Sequence, residues 1–483
     1  MNLHITEKYI WFPAARDCDE VKLHMYIDGK KINEIDIKLS TDPDFYFSMD
    51  VSKYMGKSIT ISSDCDERLL EAVTCHDDIY KIEYPYRPKI HFTTRMGWIN
   101  DPNGLVYKDG IYHMFYQLNP YGTDWGNMHW GHAISKDLIS WEQKDIALFP
   151  DEYGTVFSGC GFRDEKNAAG LGKDALLFFY TAAGGFNEWS KEAGYNSTQR
   201  LAVLNNDTLI KKDMILDTVK DGNRDPKVFY HEESKAYVMV LYLIDNEFAI
   251  FRSDDLKNWT ETDRLSLEGM WECPDLFELE IEGTNDKRWV FWSADGFYVL
   301  GDFDGYKFTK RSEVLSAYDT KLPYAAQTYA GCERRISVAW YRTANDRGGF
   351  KGMMSVPTKL SLIDTDKGIR LSFKPVSELY EHLSKQSLSY DDSFDKKLKG
   401  SPVVIDIRWK DNETAPVIIG DLKIDTRPET LIVDHGIIEY FSGDGTVYGA
   451  IEADEDILSK NIHIGSGIES LKICEIDKNE MPS

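Results

Sequence analysis

Ser135-Lys136-Asp137-Leu138-Ile139-Ser140-Trp141 is echoed further along the chain by Ser253-Asp254-Asp255-Leu256-Lys257-Asn258-Trp259. Each copy follows two or three strand-like runs, so the echo marks a repeated unit. Outward from these turns, five units lie at about 98–145, 156–212, 224–263, 271–312 and 324–365, each opening on an apolar run and ending in a polar, turn-rich strand. Four strands per ~40–50 residues is the pattern of a β-propeller, which closes its sheets into a ring and protects their edges. The fold class is therefore all-β, with a five-bladed propeller over 90–370. Before it, residues 1–85 alternate apolar and polar positions, as in Lys22-Leu23-His24-Met25-Tyr26-Ile27, and predict a small N-terminal β module. After it, Val403-Val404-Ile405-Asp406-Ile407 and Thr430-Leu431-Ile432-Val433-Asp434 resume the strand pattern, and 385–483 reads as a C-terminal β-sandwich.

The chain has 483 residues, room for about three domains. Its formal charge of −25 argues against nucleic-acid and anionic-membrane partners, which need clustered Lys and Arg, and favours a neutral substrate. The aromatic share of 13% suits sugar stacking, although β packing is the better account of it. Seven cysteines without C-x-x-C spacing, no apolar leader in Met1-Asn2-Leu3-His4-Ile5-Thr6 and no membrane-length apolar run together lead us to expect a cytoplasmic protein with reduced thiols.

Chemistry concentrates at the blade openings. In Trp98-Ile99-Asn100-Asp101-Pro102-Asn103-Gly104, Pro102 fixes its own φ and biases Asp101 toward extended backbone, which holds that carboxylate rigidly. The third unit opens on Asn223-Arg224-Asp225-Pro226 and the fourth on Trp271-Glu272-Cys273-Pro274. Taken singly, Arg224-Asp225 reads as an ion pair and Glu272 as a solvated charge. The first strand of each propeller blade lines the central axis, however, so Asp101, Asp225 and Glu272 should converge there. Clustered carboxylates suit glycoside hydrolysis, in which one acid attacks or directs water and another protonates the leaving oxygen. Like charges held close raise the pKa of one group, and the sequence does not say which.

The W-x-N-D-P-N-G, R-D-P and E-C-P motifs, in this order and spacing, resemble those of the β-fructofuranosidases of glycoside hydrolase family 32: invertases, sucrose-6-phosphate hydrolases, inulinases and levanases. The resemblance runs from about residue 90 to 483. It implies a retaining β-fructofuranosidase, first of the invertase type, that releases fructose through a covalent fructosyl-enzyme intermediate. Asp101 would be the nucleophile, Glu272 the general acid/base and Asp225 the transition-state stabiliser, with Arg224 keeping Asp225 ionised and oriented. Phe115-Tyr116-Gln117-Leu118-Asn119-Pro120, Trp125-Gly126-Asn127-Met128-His129-Trp130-Gly131-His132 and Phe157-Ser158-Gly159 match further family motifs. They imply that Asn100, Gln117, Trp125, Phe157, Ser158 and the late tryptophan Trp340 contact the substrate.

This chain departs from the family at Tyr318-Asp319-Thr320-Lys321-Leu322-Pro323-Tyr324-Ala325-Ala326-Gln327-Thr328, where an acidic D-F-Y run is usual; Asp319 is expected to contact the substrate on the leaving-group side. His129 and His132 form an H-x-x-H without further ligands, so neither a metal nor a cofactor is expected. The expected partner is a fructoside. The N-terminal module is expected to pack on the propeller, with glycan binding or homodimer contacts as alternatives. A fructosyltransferase on the same acids and a non-catalytic fructan-binding propeller are the rival functions.

Overall fold

The computed structural model describes residues 1–206, 208–410 and 415–476. Asp207, expected in the second unit, and 411–414 and 477–483, expected in the sandwich, lie outside the described residues.

The echoed motif forms the same turn twice, each time leading from the third strand of a sheet into the fourth. In the first copy, Ser135 Oγ accepts from the Leu138 amide at 2.8 Å, and Asp137 Oδ1 accepts from the amides of Ile139 and Ser140 at 2.9 and 2.7 Å. In the second, Asp255 Oδ1 accepts from the amides of Lys257 and Asn258 at 3.0 and 2.8 Å. Short polar side chains thus take over backbone donors that no strand can reach. Both turns drive a leucine into the left-handed region, Leu138 at φ 66° and Leu256 at φ 61°, and both leucines are fully buried.

Among the described residues, five consecutive sheets follow one another in chain order, each built on four antiparallel strands, and the first, fourth and fifth each carry a short additional strand, parallel in the first. Their first strands are Gly97–Lys108, Thr155–Asp164, Arg224–His231, Asp275–Glu280 and Pro323–Thr328. The fifth blade ends on Gly368–Pro375, beyond the expected limit of 365, because its third and fourth strands form a long hairpin with Thr358–Thr365.

Apolar layers join each blade to the next. Val106 and Trp130 pack with Phe178 and Ala202, Phe179 and Leu201 with Val228 and Met239, and Val238 and Phe248 with Leu276 and Phe291. Phe277 and Val290 share a cluster with Ala326 and Val338 and with Leu105 and Met114 of the first blade, which closes the ring. At the axis, Lys227 Nζ lies 2.8 Å from Asp275 Oδ2 and donates to Thr328 O at 2.7 Å, tying the third, fourth and fifth blades.

The N-terminal module is two small sheets around their own core, which includes Ile10, Phe12, Leu23, Met25, Ile35, Phe47 and Ile61. In the C-terminal sandwich the long strand Asn461–Ile476 pairs with Val417–Ile419 in its first half and with Val403–Trp409 in its second. That split lets one hydrogen-bonded sheet supply both layers around Ile405, Ile419, Leu431 and Ile464. The sandwich docks through a buried polar cluster in which His91 Nδ1 lies 3.1 Å from Asp434 Oδ2 and His91 Nε2 lies 3.1 Å from Glu439 Oε2.

Candidate active site

The first strands are not regular where they reach the axis. Register breaks fall between Ile99 and Pro102, Val156 and Gly159, Arg224 and Lys227, and Tyr324 and Gln327. A bulge re-aims the side chains of the residues that it leaves unpaired. Here those residues include Asn100 and Asp101, Phe157 and Ser158, and Asp225. In the fourth blade, Glu272 and Cys273 form the turn just before the strand. Asp225, Glu272 and Cys273 have left-handed backbones at φ 63°, 49° and 42°, a conformation that costs a non-glycine residue on the order of 1 kcal/mol. Neighbours hold them there: the Asp225 amide donates to Thr181 Oγ1 at 3.1 Å, the Cys273 amide to Asp225 Oδ2 at 3.0 Å, and the Ala294 amide to the carbonyls of Trp271 and Glu272 at 3.1 and 3.2 Å.

These bulges meet around a cavity of about 350 Å³ lined by Asn100, Asp101, Gln117, Trp125, Phe157, Ser158, Phe186, Ser197, Gly222, Arg224, Asp225, Glu272, Tyr324 and Trp340. Asp101 Oδ2 accepts from Ser158 Oγ at 2.6 Å, and Asp101 Oδ1 from Asn100 Nδ2 at 3.2 Å. Trp98 Nε1 donates to Asn100 Oδ1 at 3.0 Å and so fixes which end of that amide faces the acid. The Cys273 thiol bridges two acids, with Sγ 3.6 Å from Asp101 Oδ2 and 3.5 Å from Asp225 Oδ2. Glu272 is held by Arg224 Nη2 on Oε1 and by the Tyr324 hydroxyl on Oε2, both at 2.5 Å.

The acids differ in setting. Burial pushes the Asp101 carboxyl above its ordinary value and the charge of Glu272 adds to the rise, while Ser158, Asn100 and Cys273 donate to the anion and pull it back. Burial pushes Asp225 up to about 7, with Glu272 and Asp101 adding and Arg224 opposing. Burial and the surrounding carboxylates push the Cys273 thiol well up, so it serves as a donor and not as a thiolate nucleophile. The Glu272 side chain is 32% exposed against 5% for Asp225, so Glu272 is the better placed of the two to exchange protons with solvent and ligand. The buried donors Gln117 Nε2 and Trp340 Nε1 have no hydrogen-bond partner among the described residues and are available to hydroxyl groups in the cavity.

All but one of the expected site residues line this cavity. Asp319 does not: its carboxylate accepts from the Tyr440 hydroxyl at 2.6 Å and its amide donates to Tyr448 O at 2.8 Å, so docking of the sandwich has claimed it. Arg224 also differs from expectation. Its close contact is with Glu272, while its Nε stands 3.8 Å from Asp225 Oδ2, and burial of Asp225 outweighs the arginine's charge. His129 and His132 are buried in the first blade, where burial pushes both down to about 3, and they pack among aromatic rings away from the cavity wall.

The family model for the glycosyl hydrolases family 32 N-terminal domain matches residues 91–375. The chain belongs to glycosyl hydrolase family 32. Within this family it is similar to a levanase of Bacillus subtilis, 38% identical in an alignment 330 residues long that covers 61% of this chain and 47% of the levanase. An extracellular exo-inulinase of Aspergillus niger is 29% identical over 69% of this chain and 73% of that enzyme, and an invertase of Debaryomyces hansenii 34% identical over 57% of each. The chain thus spans about half the length of the levanase that it matches. Among solved structures, exo-inulinase from Aspergillus awamori aligns with a TM-score of 0.72 over 82% of this chain and 99% of that one, at 23% identity. Fructofuranosidase from Schwanniomyces occidentalis complexed with fructose gives 0.71, over the same shares of the two chains, at 24%. These structural likenesses establish the propeller and sandwich fold.

Four residues lining the cavity of this family 32 chain escaped the sequence reading: Phe186, Ser197, Gly222 and Tyr324. Tyr324 carried a usable signal, an aromatic at the opening of a blade beside a bulge. Phe186 sits alone after Gly184-Gly185 in the link between the second and third strands of its blade, where spacing gives no hint of direction.

Proposed function

We propose that this chain is a retaining β-fructofuranosidase that releases fructose from β-fructofuranosides such as sucrose or fructan. The observation that carries the reading is the meeting of Asp101, Asp225 and Glu272, from three blades, in one cavity where each has a different environment. Asp101 is the nucleophile, and its carboxylate forms the bond to the anomeric carbon of the fructosyl unit. The bond to the leaving oxygen breaks as Glu272 transfers a proton to that oxygen. Glu272, now ionised, takes a proton from water, which attacks the same carbon and frees fructose and the Asp101 carboxylate. Three donors steady the Asp101 anion between turnovers. Asp225 holds sugar hydroxyls, and its raised pKa allows it to donate or accept according to pH. Trp125 and Phe157 supply apolar surface for the ring.

The names of the levanase, exo-inulinase and invertase relatives support fructosides as the substrate class. No observation favours the transferase or the non-catalytic reading over hydrolysis. None of the seven cysteines forms a disulfide, which supports a cytoplasmic location even though the exo-inulinase relatives are named as extracellular; cell fractionation tests it. The activity is tested by chromatography of the products after purified protein meets sucrose, kestose, inulin and levan separately. Free fructose from at least one supports the proposal, longer oligosaccharides point to transfer, and no product from any points to a binding protein.

A further inference from the structure

Trp125 and Phe186 project from the cavity wall on loops rather than from the blade strands, and each is 53% exposed. With Phe157 they form one aromatic face: the Phe157 and Phe186 rings are 4.7 Å apart and those of Trp125 and Phe157 5.9 Å. A loop-borne aromatic wall recognises a sugar well only if its loops are held from behind. The N-terminal module supplies that hold at both loops.

Behind Trp125, Asn127 has a left-handed backbone at φ 43° and turns its side chain away from the cavity. Its Oδ1 accepts from the Asp36 amide at 2.8 Å and its Nδ2 donates to Asp36 O at 2.7 Å. Asp36 lies in Lys30–Ile37, an edge strand of the module's four-stranded sheet. The asparagine amide therefore pairs with both backbone groups of one edge residue, as a neighbouring strand would. Beside Phe186, the buried carboxylate of Glu34, in the same edge strand, accepts from the amides of Glu188 and Trp189 at 2.8 and 3.1 Å. Lys31 and Lys22 lie 3.2 and 3.7 Å from the Glu34 oxygens and offset the burial of its charge.

We propose that the N-terminal module is a specificity brace: through Glu34 and the Asp36 backbone, one edge strand sets the aromatic wall against which the fructoside binds. Glu34 and Asn127 are positioning residues and touch no substrate. This inference rests on reading the cavity as the fructoside site. In the full-length chain, Glu34→Gln presents an amide NH₂ to one of the two amides that the carboxylate now accepts. Asn127→Asp loses the donor that Asp36 O shares with Asn119 Oδ1 and sets a negative charge against both oxygens. Both keep side-chain shape.

Each variant should raise KM for inulin by about five-fold or more while kcat stays within about two-fold of wild type, the signature of lost positioning of bound substrate. Amide hydrogen exchange should quicken in 184–194 for Glu34→Gln and in 122–127 for Asn127→Asp, with the blade strands unchanged. Unchanged exchange in those loops would overturn the brace, and faster exchange with an unchanged KM would overturn its role in binding. If the wild type turns over no fructoside, the proposed activity fails while the exchange data still decide whether the module braces the loops.

Discussion

Arg224 grips Glu272, not the aspartate that follows it in sequence: its Nη2 is 2.5 Å from Glu272 Oε1, while its Nε stands 3.8 Å from Asp225 Oδ2. One guanidinium thus aims the proposed acid/base and still lowers the pKa of Asp225 from a distance, and the charges of Asp225 and Glu272 outweigh burial in keeping it protonated. Arg224→Gln should cut kcat by about 100-fold, the scale of losing one preorganised charge contact. It should also raise the Asp225 pKa further, which would shift the corresponding limb of the pH profile to higher pH. Steady-state kinetics from pH 4 to 9 check both effects.

Asp225 sets stability against activity. Its folded-state pKa of about 7 lies above the ordinary 3.8, so the folded protein holds this proton more tightly than the unfolded chain. Stability should therefore fall as pH rises between those values, with the full cost present above about 7. Asn tolerates the left-handed backbone at φ 63° and carries no charge to bury. Asp225→Asn should thus melt higher than wild type at pH 8, by thermal denaturation, while kcat falls by about 100-fold or more.

Ser158 tunes the proposed nucleophile through its 2.6 Å hydrogen bond to Asp101 Oδ2. That bond favours the anion, so its loss in Ser158→Ala raises a pKa that burial has already pushed up. Because attack needs the carboxylate, the acid limb of kcat/KM should move to higher pH, with kcat at neutral pH reduced by about ten-fold. An acid limb that stayed in place would argue against Asp101 as the nucleophile.

The sandwich should be clamped by charge. Burial opposes a charged His91, but hydrogen bonds to Asp434 and Glu439 outweigh it and push the imidazole up to about 9 from 6.5. The stabilisation is complete below 6.5 and is lost as pH rises through about 9. His91→Gln leaves two buried carboxylates without a cation, a cost of about 3 kcal/mol at pH 7. The variant should melt lower than wild type at pH 7 and lose less stability than wild type between pH 7 and 10.

The blades were legible because their signal is local: the Ser135 and Ser253 motifs repeat a side-chain-to-backbone pattern that any window exposes. The acids were legible because each stands at the opening of a blade, where closure of the ring forces convergence. Partner choice across the ring was not. Whether Arg224 faces Asp225 or Glu272 depends on a left-handed turn at Glu272 and Cys273, and neither is a residue that signals one. Asp319 misled for a related reason: the sandwich residue that claims it, Tyr440, lies far along the chain, and no spacing links the two. Phe186 depends on a loop whose position is set by the N-terminal module, a contact between parts of the sequence with no shared pattern.

Fructose release by wild type and by Asp101→Asn, followed by chromatography on sucrose, kestose, inulin and levan, bears on the whole assignment. Wild type should release free fructose from at least one of them. The variant, folded as judged by circular dichroism, should be slower by several orders of magnitude, since the amide keeps the shape and removes the attacking charge. Near-native release by the variant, or none by wild type on any of the four, would contradict the assignment of Asp101 and of the cavity.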